Sequence, residues 1–143
     1  MIKVLTSGTW DILHEGHIEF LKDAKKQGDF LIVMVMSDHA VYRKKGKLPL
    51  FKQKTRAIKL RQLGIADQII ASPENCDNNL ELIVNIKPEV IALGYDQKDK
   101  KVEEIKKYLF SRGQFPTYYR SKEFANGIHS SHLRNKVTLE KSI

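Results

Sequence analysis

The segment Thr6 to His17, T-S-G-T-W-D-I-L-H-E-G-H, constrains the fold of this chain more than any other. Before it stands an apolar opening, Ile2, Val4 and Leu5, and after it Ile18, Phe20, Leu21 and Ala24 recur at helical spacing. Lys3 to Thr6 reads as a short buried strand, and Ser7-Gly8 as the place where backbone turns closely around a ligand. His17 to Gln27 reads as a helix, stopped by Gly28-Asp29. Phe30 to Met36, F-L-I-V-M-V-M, lacks alternation, as a strand covered on both faces does. Strand, helix and strand then make a parallel crossover unit, expected to be right-handed.

The remainder repeats that alternation. Tyr42 to Lys54 holds R-K-K-G-K, Lys52 and Lys54, broken by Gly46 and Pro49, and reads as a solvated basic loop. Lys52 to Leu63 predicts a helix with Ala57, Leu60 and Leu63 on one face, ended by Gly64. Asp67 to Ala71 predicts a third strand, and Asn78 to Ile86 a helix with Leu82, Ile83 and Ile86 inward. Pro88 to Leu93 is the fourth strand, ending in the polar run Gly94 to Gln97, and ligands of open parallel sheets bind at such strand ends. Val102 to Phe110 predicts a helix with 102, 105, 109 and 110 inward. Phe115 to Tyr119 is an edge-strand candidate because of Pro116. Asn126-Gly127 marks a turn, Ser130 or Ser131 caps a last helix, and the tail from Thr138 frays. The expected architecture is a three-layer α/β domain over residues 1–137 with five strands in a mainly parallel sheet, followed by a tail at 138–143.

With 143 residues the chain makes one domain. Its single cysteine, Cys76, excludes an intramolecular disulfide framework and reads as an inert, semi-buried residue. No signal peptide or run of ~18 apolar residues is present, so a cytoplasmic protein without membrane attachment is expected. The net charge of +8, from 25 Lys and Arg against 17 Asp and Glu, favours anionic partners. It does not choose between nucleic acid, acidic membrane and phosphorylated small molecules. No base-reading module accompanies the charge, so nucleic acid is not expected as a partner.

The chemistry sits in the opening motif. His14 and His17 flank Gly16, and a helix starting there would point its first free N–H groups into the same space as both imidazoles. Such donors suit oxygens that gain charge during phosphoryl or nucleotidyl transfer. Asp11 would hold a histidine tautomer or cap the turn. Other readings of the pair are a metal site completed by a third ligand and a purely structural turn.

Gly8-Thr9-Trp10-Asp11-Ile12-Leu13-His14-Glu15-Gly16-His17 resembles the G-T-F-D-x-x-H-x-G-H signature of the cytidylyltransferase-like nucleotidyltransferases, with Trp10 in place of phenylalanine. The likeness continues through Leu21 to Asp29 and the following apolar strand, Arg56, and Ala92 to Gln97. It ends in Gly127-Ile128-His129-Ser130-Ser131, similar to the family's G-I-S-T-T. The resemblance implies a Rossmann-like fold and transfer of a nucleoside monophosphate from CTP or ATP to a phosphorylated small molecule, with release of pyrophosphate. His14 and His17 would stabilise the transferring group, with Lys44 and Arg56 as further catalytic residues. Thr6, Gly8, Thr9, Trp10, Asp11 and Gly16 would line the nucleotide site. Gly94 and Asp96 would meet ribose or base, and Gly127, Ile128, Ser130 and Ser131 the β and γ phosphates. Lys44 and Lys47 would hold the acceptor. Mg²⁺ would come with the triphosphate, with no protein ligand assigned, and a homodimer is implied.

Two regions point to different acceptors. Ile91 to Gln97 most resembles the archaeal-type FAD synthases, which adenylylate FMN, whereas G-I-H-S-S is closer to glycerol-3-phosphate cytidylyltransferase. A polyol or sugar phosphate needs only hydroxyl contacts and a basic clamp; a flavin needs a flat pocket, and no aromatic pair is visibly dedicated to one. The leading expectation is therefore a glycerol-3-phosphate cytidylyltransferase or a related polyol- or sugar-phosphate enzyme, with FAD synthase as the alternative. A nonenzymatic phosphate-ligand or nucleic-acid binder is the reading from outside the enzyme class, and retention of both histidines weighs against it.

Overall fold

The computed structural model describes residues 1–74 and 79–124. Along the chain run β1 (Lys3–Gly8), α1 (Glu15–Lys25), β2 (Phe30–Val35), α2 (Asp38–Lys45), α3 (Gln53–Leu63), β3 (Gln68–Ala71), α4 (Leu80–Ile86), β4 (Val90–Leu93), α5 (Asp99–Ser111) and β5 (Thr117–Arg120). The strands form one sheet in the order β3-β2-β1-β4-β5, and every pairing is parallel.

Period-two alternation in the strands divides the core into two layers. Leu5, Ile32, Met34, Ile91 and Leu93 face one way, onto Ile83 and Val84 of α4 and Val102, Ile105 and Leu109 of α5. Val4, Leu31, Val33, Val35 and Ala92 face the other way, onto Leu21 and Ala24 of α1 and Ala57 and Leu60 of α3. Each fully buried leucine contributes ~1.5–3 kcal/mol, more than the ~1 kcal/mol of a helix cap. Packing on the sheet, rather than capping, therefore sets where the helices lie.

Connections first run outward from β1 through β2 to β3, then return to place β4 on the other side of β1. The carboxyl ends of β1 and β4 thus flank the topological switch point, where a crevice opens between diverging connections. Val4 pairs with Val90 and Leu5 with Ile91; carried forward in that register, Gly8 and Gly94 stand at the same level on the sheet's carboxyl edge. Beyond β2 the edge is closed by side chains. Ser72 Oγ accepts from Ser37 N at 3.1 Å, and Gln53 Nε2 donates to the carbonyls of Val35 and Ser72, each at 2.9 Å.

The structure corrects several expected boundaries. Tyr42 to Lys45 lies in α2 rather than in a loop: Ser37 caps the helix through Ala40 N at 3.0 Å, and Ala40 and Val41 are buried. The loop begins only at Gly46, whose φ of 76° ends the helix. Helix α1 begins at Glu15, with His14 as its N-cap. Phe110 faces solvent at 68% exposure, because it lies about 100° around α5 from Leu109, outside the 102, 105, 109 stripe. In α4 the inward residues are Leu80, Ile83 and Val84, with Leu82 and Ile86 partly buried beside them. Gly28 is required for space: a Cβ there would lie 2.7 Å from Val4 Cγ2 and 2.8 Å from the Ile2 carbonyl oxygen. The edge strand begins at Thr117, two residues later than expected, because Pro116 has no N–H to give the ladder. The expected turn at Asn126-Gly127, the last helix, the tail and Cys76 lie outside the described residues.

Candidate active site

His14 and His17 form a reciprocal cap at the start of α1. The Gly16 N–H donates to His14 Nδ1 at 3.0 Å, and the His14 N–H donates to His17 Nδ1 at 3.2 Å. The pattern is a capping box in which imidazoles replace the usual hydroxyl and carboxylate. An Nδ1 that accepts a hydrogen bond carries no proton, so each neutral ring bears its proton on Nε2. The ring centroids are 4.0 Å apart, so both imidazoles stand at the helix N-terminus, whose dipole favours anionic oxygens.

Burial, the neighbouring His14 and the charge of Lys45 hold the His17 imidazole down at about 3. At neutral pH the ring is therefore a hydrogen-bond donor without charge. The same shift links stability to pH. The unfolded ring takes up its proton near 6.5 and the folded ring only near 3, so unfolding binds a proton throughout that window. The stabilisation is complete above pH 6.5 and falls on acidification, by about 2 kcal/mol between pH 7 and pH 5. In His17→Asn, an amide oxygen can replace Nδ1 as cap acceptor without titrating. Urea unfolding at the two pH values should show the wild type losing more stability than this variant by that amount; parallel losses would contradict the assignment.

Trp10 supports the His17 ring. Its indole is buried at 6% exposure, donates from Nε1 to the Met34 carbonyl at 3.1 Å, packs edge-on to His17 and stacks on Phe20. Its φ of 54° is left-handed, a strained conformation for a bulky residue, held by these contacts. A Cβ on Gly8 would meet this indole at 3.0 Å, so the glycine makes room for Trp10. Trp10, expected against nucleotide, is thus placed against the His17 ring, and Thr6 is likewise buried in β1.

Two clamps fasten the signature turn to the α2–α3 segment. Asp11 accepts from the N–H groups of Leu50 and Phe51 at 2.7 and 2.9 Å, so its carboxylate organises backbone. Arg56 is fully buried; it donates to the Phe51 carbonyl at 2.9 Å, to the Thr9 carbonyl at 2.6 Å and to Asp38 Oδ1 at 2.6 Å. Neither clamp was legible as such in the sequence. Arg56 lies in a polar helix with acceptors 5, 18 and 47 residues away.

The lysines divide around α2. Lys44 and Lys47 are exposed. Lys45, missed in the sequence reading, is the one whose charge acts on His17. At the end of β4, Gly94 and exposed Asp96 are adjacent, a Cβ on Gly94 reaching 3.3 Å from Asp96 Oδ1. Arg120 at the end of β5 staples this loop, donating to the Gln97 carbonyl at 2.6 Å and pairing with Asp99 Oδ1 at 2.8 Å. The structure thus brings Gly8, Thr9, Asp11, His14, Gly16, His17 and Arg56 together, with Gly94 level across the switch point. Gly127, Ile128, Ser130 and Ser131 lie outside the described residues. Among the described residues no group of three or more His, Cys, Asp or Glu is placed to hold a metal ion. No helix among them is long and apolar enough to cross a membrane.

A parallel α/β sheet with paired imidazoles capping a helix N-terminus beside its switch point is a setting that suits phosphate groups. The chain belongs to the cytidylyltransferase-like family, whose sequence pattern it matches over residues 5–136, and is a nucleotidyltransferase. An FAD synthase of Thermoplasma acidophilum is 34% identical to it over 140 residues, 98% of this chain and 96% of the relative. An FAD synthase of Pyrococcus abyssi is 45% identical over 112 residues, 78% of this chain and 74% of the relative. The crystal structure of a lipopolysaccharide core biosynthesis protein from Thermoplasma volcanium GSS1 superposes with a TM-score of 0.77 at 35% identity, covering 87% of this chain and 98% of that one.

Proposed function

We propose that this nucleotidyltransferase is an FAD synthase that transfers AMP from ATP to the phosphate of FMN. The observation that carries the reading is the 34% identity to an FAD synthase along 98% of this chain and 96% of the relative. It favours the flavin acceptor over the polyol or sugar phosphate expected first.

In the proposed reaction a phosphate oxygen of FMN attacks the α-phosphorus of ATP in line. The bond from α-phosphorus to the bridging oxygen breaks, and pyrophosphate leaves with its electron pair, with no covalent enzyme intermediate. The Nε2–H groups of His14 and His17 donate to the oxygens that gain charge. The α1 N-terminus adds its dipole, and Lys44, Lys45 and Lys47 attract the anionic substrates. Trp10, Asp11 and Arg56 act by position, holding the imidazoles and the basic segment in register. Gly94 and Asp96 are assigned to ribose or base, and Gly127, Ile128, Ser130 and Ser131 to the remaining phosphates on their motif alone. Mg²⁺ would neutralise charge on the triphosphate; with no cluster of candidate ligands among the described residues, it is treated as part of the substrate.

The test is pyrophosphate release in Mg²⁺ with ATP and FMN, compared with CTP and glycerol 3-phosphate. Release with ATP that depends on FMN is expected. Release with CTP and glycerol 3-phosphate, and silence with FMN, would overturn the reading in favour of a polyol-phosphate enzyme.

A further inference from the structure

An exposed aromatic side chain lies on the flank of α2 that faces the signature turn. Asp38, at the first position of α2, points to Arg56, which also holds the Thr9 carbonyl, so this flank of the helix is fixed against the motif. Tyr42 is four residues beyond Asp38 and three before Lys45, a spacing that puts all three on that flank. Lys45 lies close enough to act on His17 electrostatically. After α2 the chain turns at Gly46 and returns to deliver the Leu50 and Phe51 N–H groups to Asp11, carrying Leu48 on the way. Tyr42 is 51% exposed and Leu48 57%. Exposed apolar side chains thus bracket the ammonium groups of Lys44, Lys45 and Lys47 along the segment between the Arg56 and Asp11 clamps. A polyol phosphate has no use for the apolar part, but a phosphomonoester bearing a flat aromatic ring uses both parts.

We propose that Tyr42, with Leu48 across the Gly46 turn, is the surface on which the ring system of the acceptor lies while its phosphate reaches the imidazoles. This inference rests on the reading of FMN as acceptor and names the residues that select it. A ring stacked on an aromatic side chain gains enough affinity to be read directly.

The experiment compares wild type, Tyr42→Ala and Tyr42→Phe. Steady-state constants are measured with ATP and FMN, and flavin fluorescence is titrated with protein in the absence of ATP. Tyr42→Ala should raise the KM and Kd for FMN about tenfold, with kcat changing much less, and Tyr42→Phe should restore both constants. Flavin emission should be quenched by wild type, whose phenol ring can donate an electron to the excited flavin, and much less by Tyr42→Ala at equal protein; the Kd of Tyr42→Phe, whose ring stacks without quenching, is read by calorimetry. Wild-type turnover of FMN with unaltered KM, Kd and quenching in Tyr42→Ala would overturn this inference and leave the acceptor assignment standing. A changed sedimentation coefficient in Tyr42→Ala with unaltered Kd would mark the rim as a contact between copies of the chain, and would also overturn it. Failure of wild type to bind or turn over FMN would remove the acceptor assignment, and this inference with it.

Discussion

Replacement of His17 by alanine should lower kcat by about a hundred- to a thousandfold, the range for loss of one preorganised donor to a developing oxyanion. The ring is well suited to that role, since its Nδ1 is occupied by the His14 N–H at 3.2 Å and its proton is left on Nε2. Folding should suffer far less. The substitution removes one cap acceptor and the edge-on contact with Trp10, together costing about 1–2 kcal/mol. His17→Asn separates the two effects, because an amide oxygen can accept the His14 N–H while no donor stands at the Nε2 position. It should unfold in urea close to wild type and remain as inactive as the alanine variant. Full activity in either variant would remove His17 from the reaction, and a kcat loss that follows the unfolded fraction would make its role structural.

Replacement of Arg56 by methionine should have the largest effect on stability. The side chain is fully buried and satisfies the Thr9 and Phe51 carbonyls as well as Asp38. Breaking a buried pair from one side costs about 3–5 kcal/mol, because the remaining charge is left without its partner. The Asp38 side chain is 27% exposed and can be partly hydrated, which puts the expected value near 3 kcal/mol. Against a total of ~5–15 kcal/mol for a domain, this is a large fraction. Adding Asp38→Asn should recover part of the loss by removing the stranded charge, and urea denaturation of the single and double variants measures the coupling. A single-variant loss below about 1 kcal/mol would contradict the clamp.

How far the sequence revealed these features depended on whether the signal was local. F-L-I-V-M-V marked β2 because a strand covered on both faces must be apolar at every position, and the β1–turn–α1 junction was legible from its glycines, histidines and following helical period. Helix α2 was not, since its eight residues bury only Ala40 and Val41 and offer no apolar stripe. The basic run Arg43 to Lys47 is exposed, as expected, but Arg43 to Lys45 lie in a helix that the preceding serine cap marks. Arg56 was legible as a match to the family's arginine, but its burial depends on carbonyls and a carboxylate that only the tertiary fold assembles. Trp10 was visible as a departure from the family signature. What the departure accomplishes, an indole filling the space that Gly8 leaves, required coordinates. Tyr42 carried no sequence signal of its own, because its place on the flank of α2 depends on a helix the sequence did not mark.

Transfer to the acceptor at the α-phosphorus is most directly tested by following label from ATP into products with FMN present. With ATP labelled at the α-phosphate, the label should appear in FAD at a rate equal to pyrophosphate release, while label from the γ-phosphate appears only in pyrophosphate. Label from the α-phosphate recovered only as free AMP or ADP, with no flavin product formed, would contradict the account.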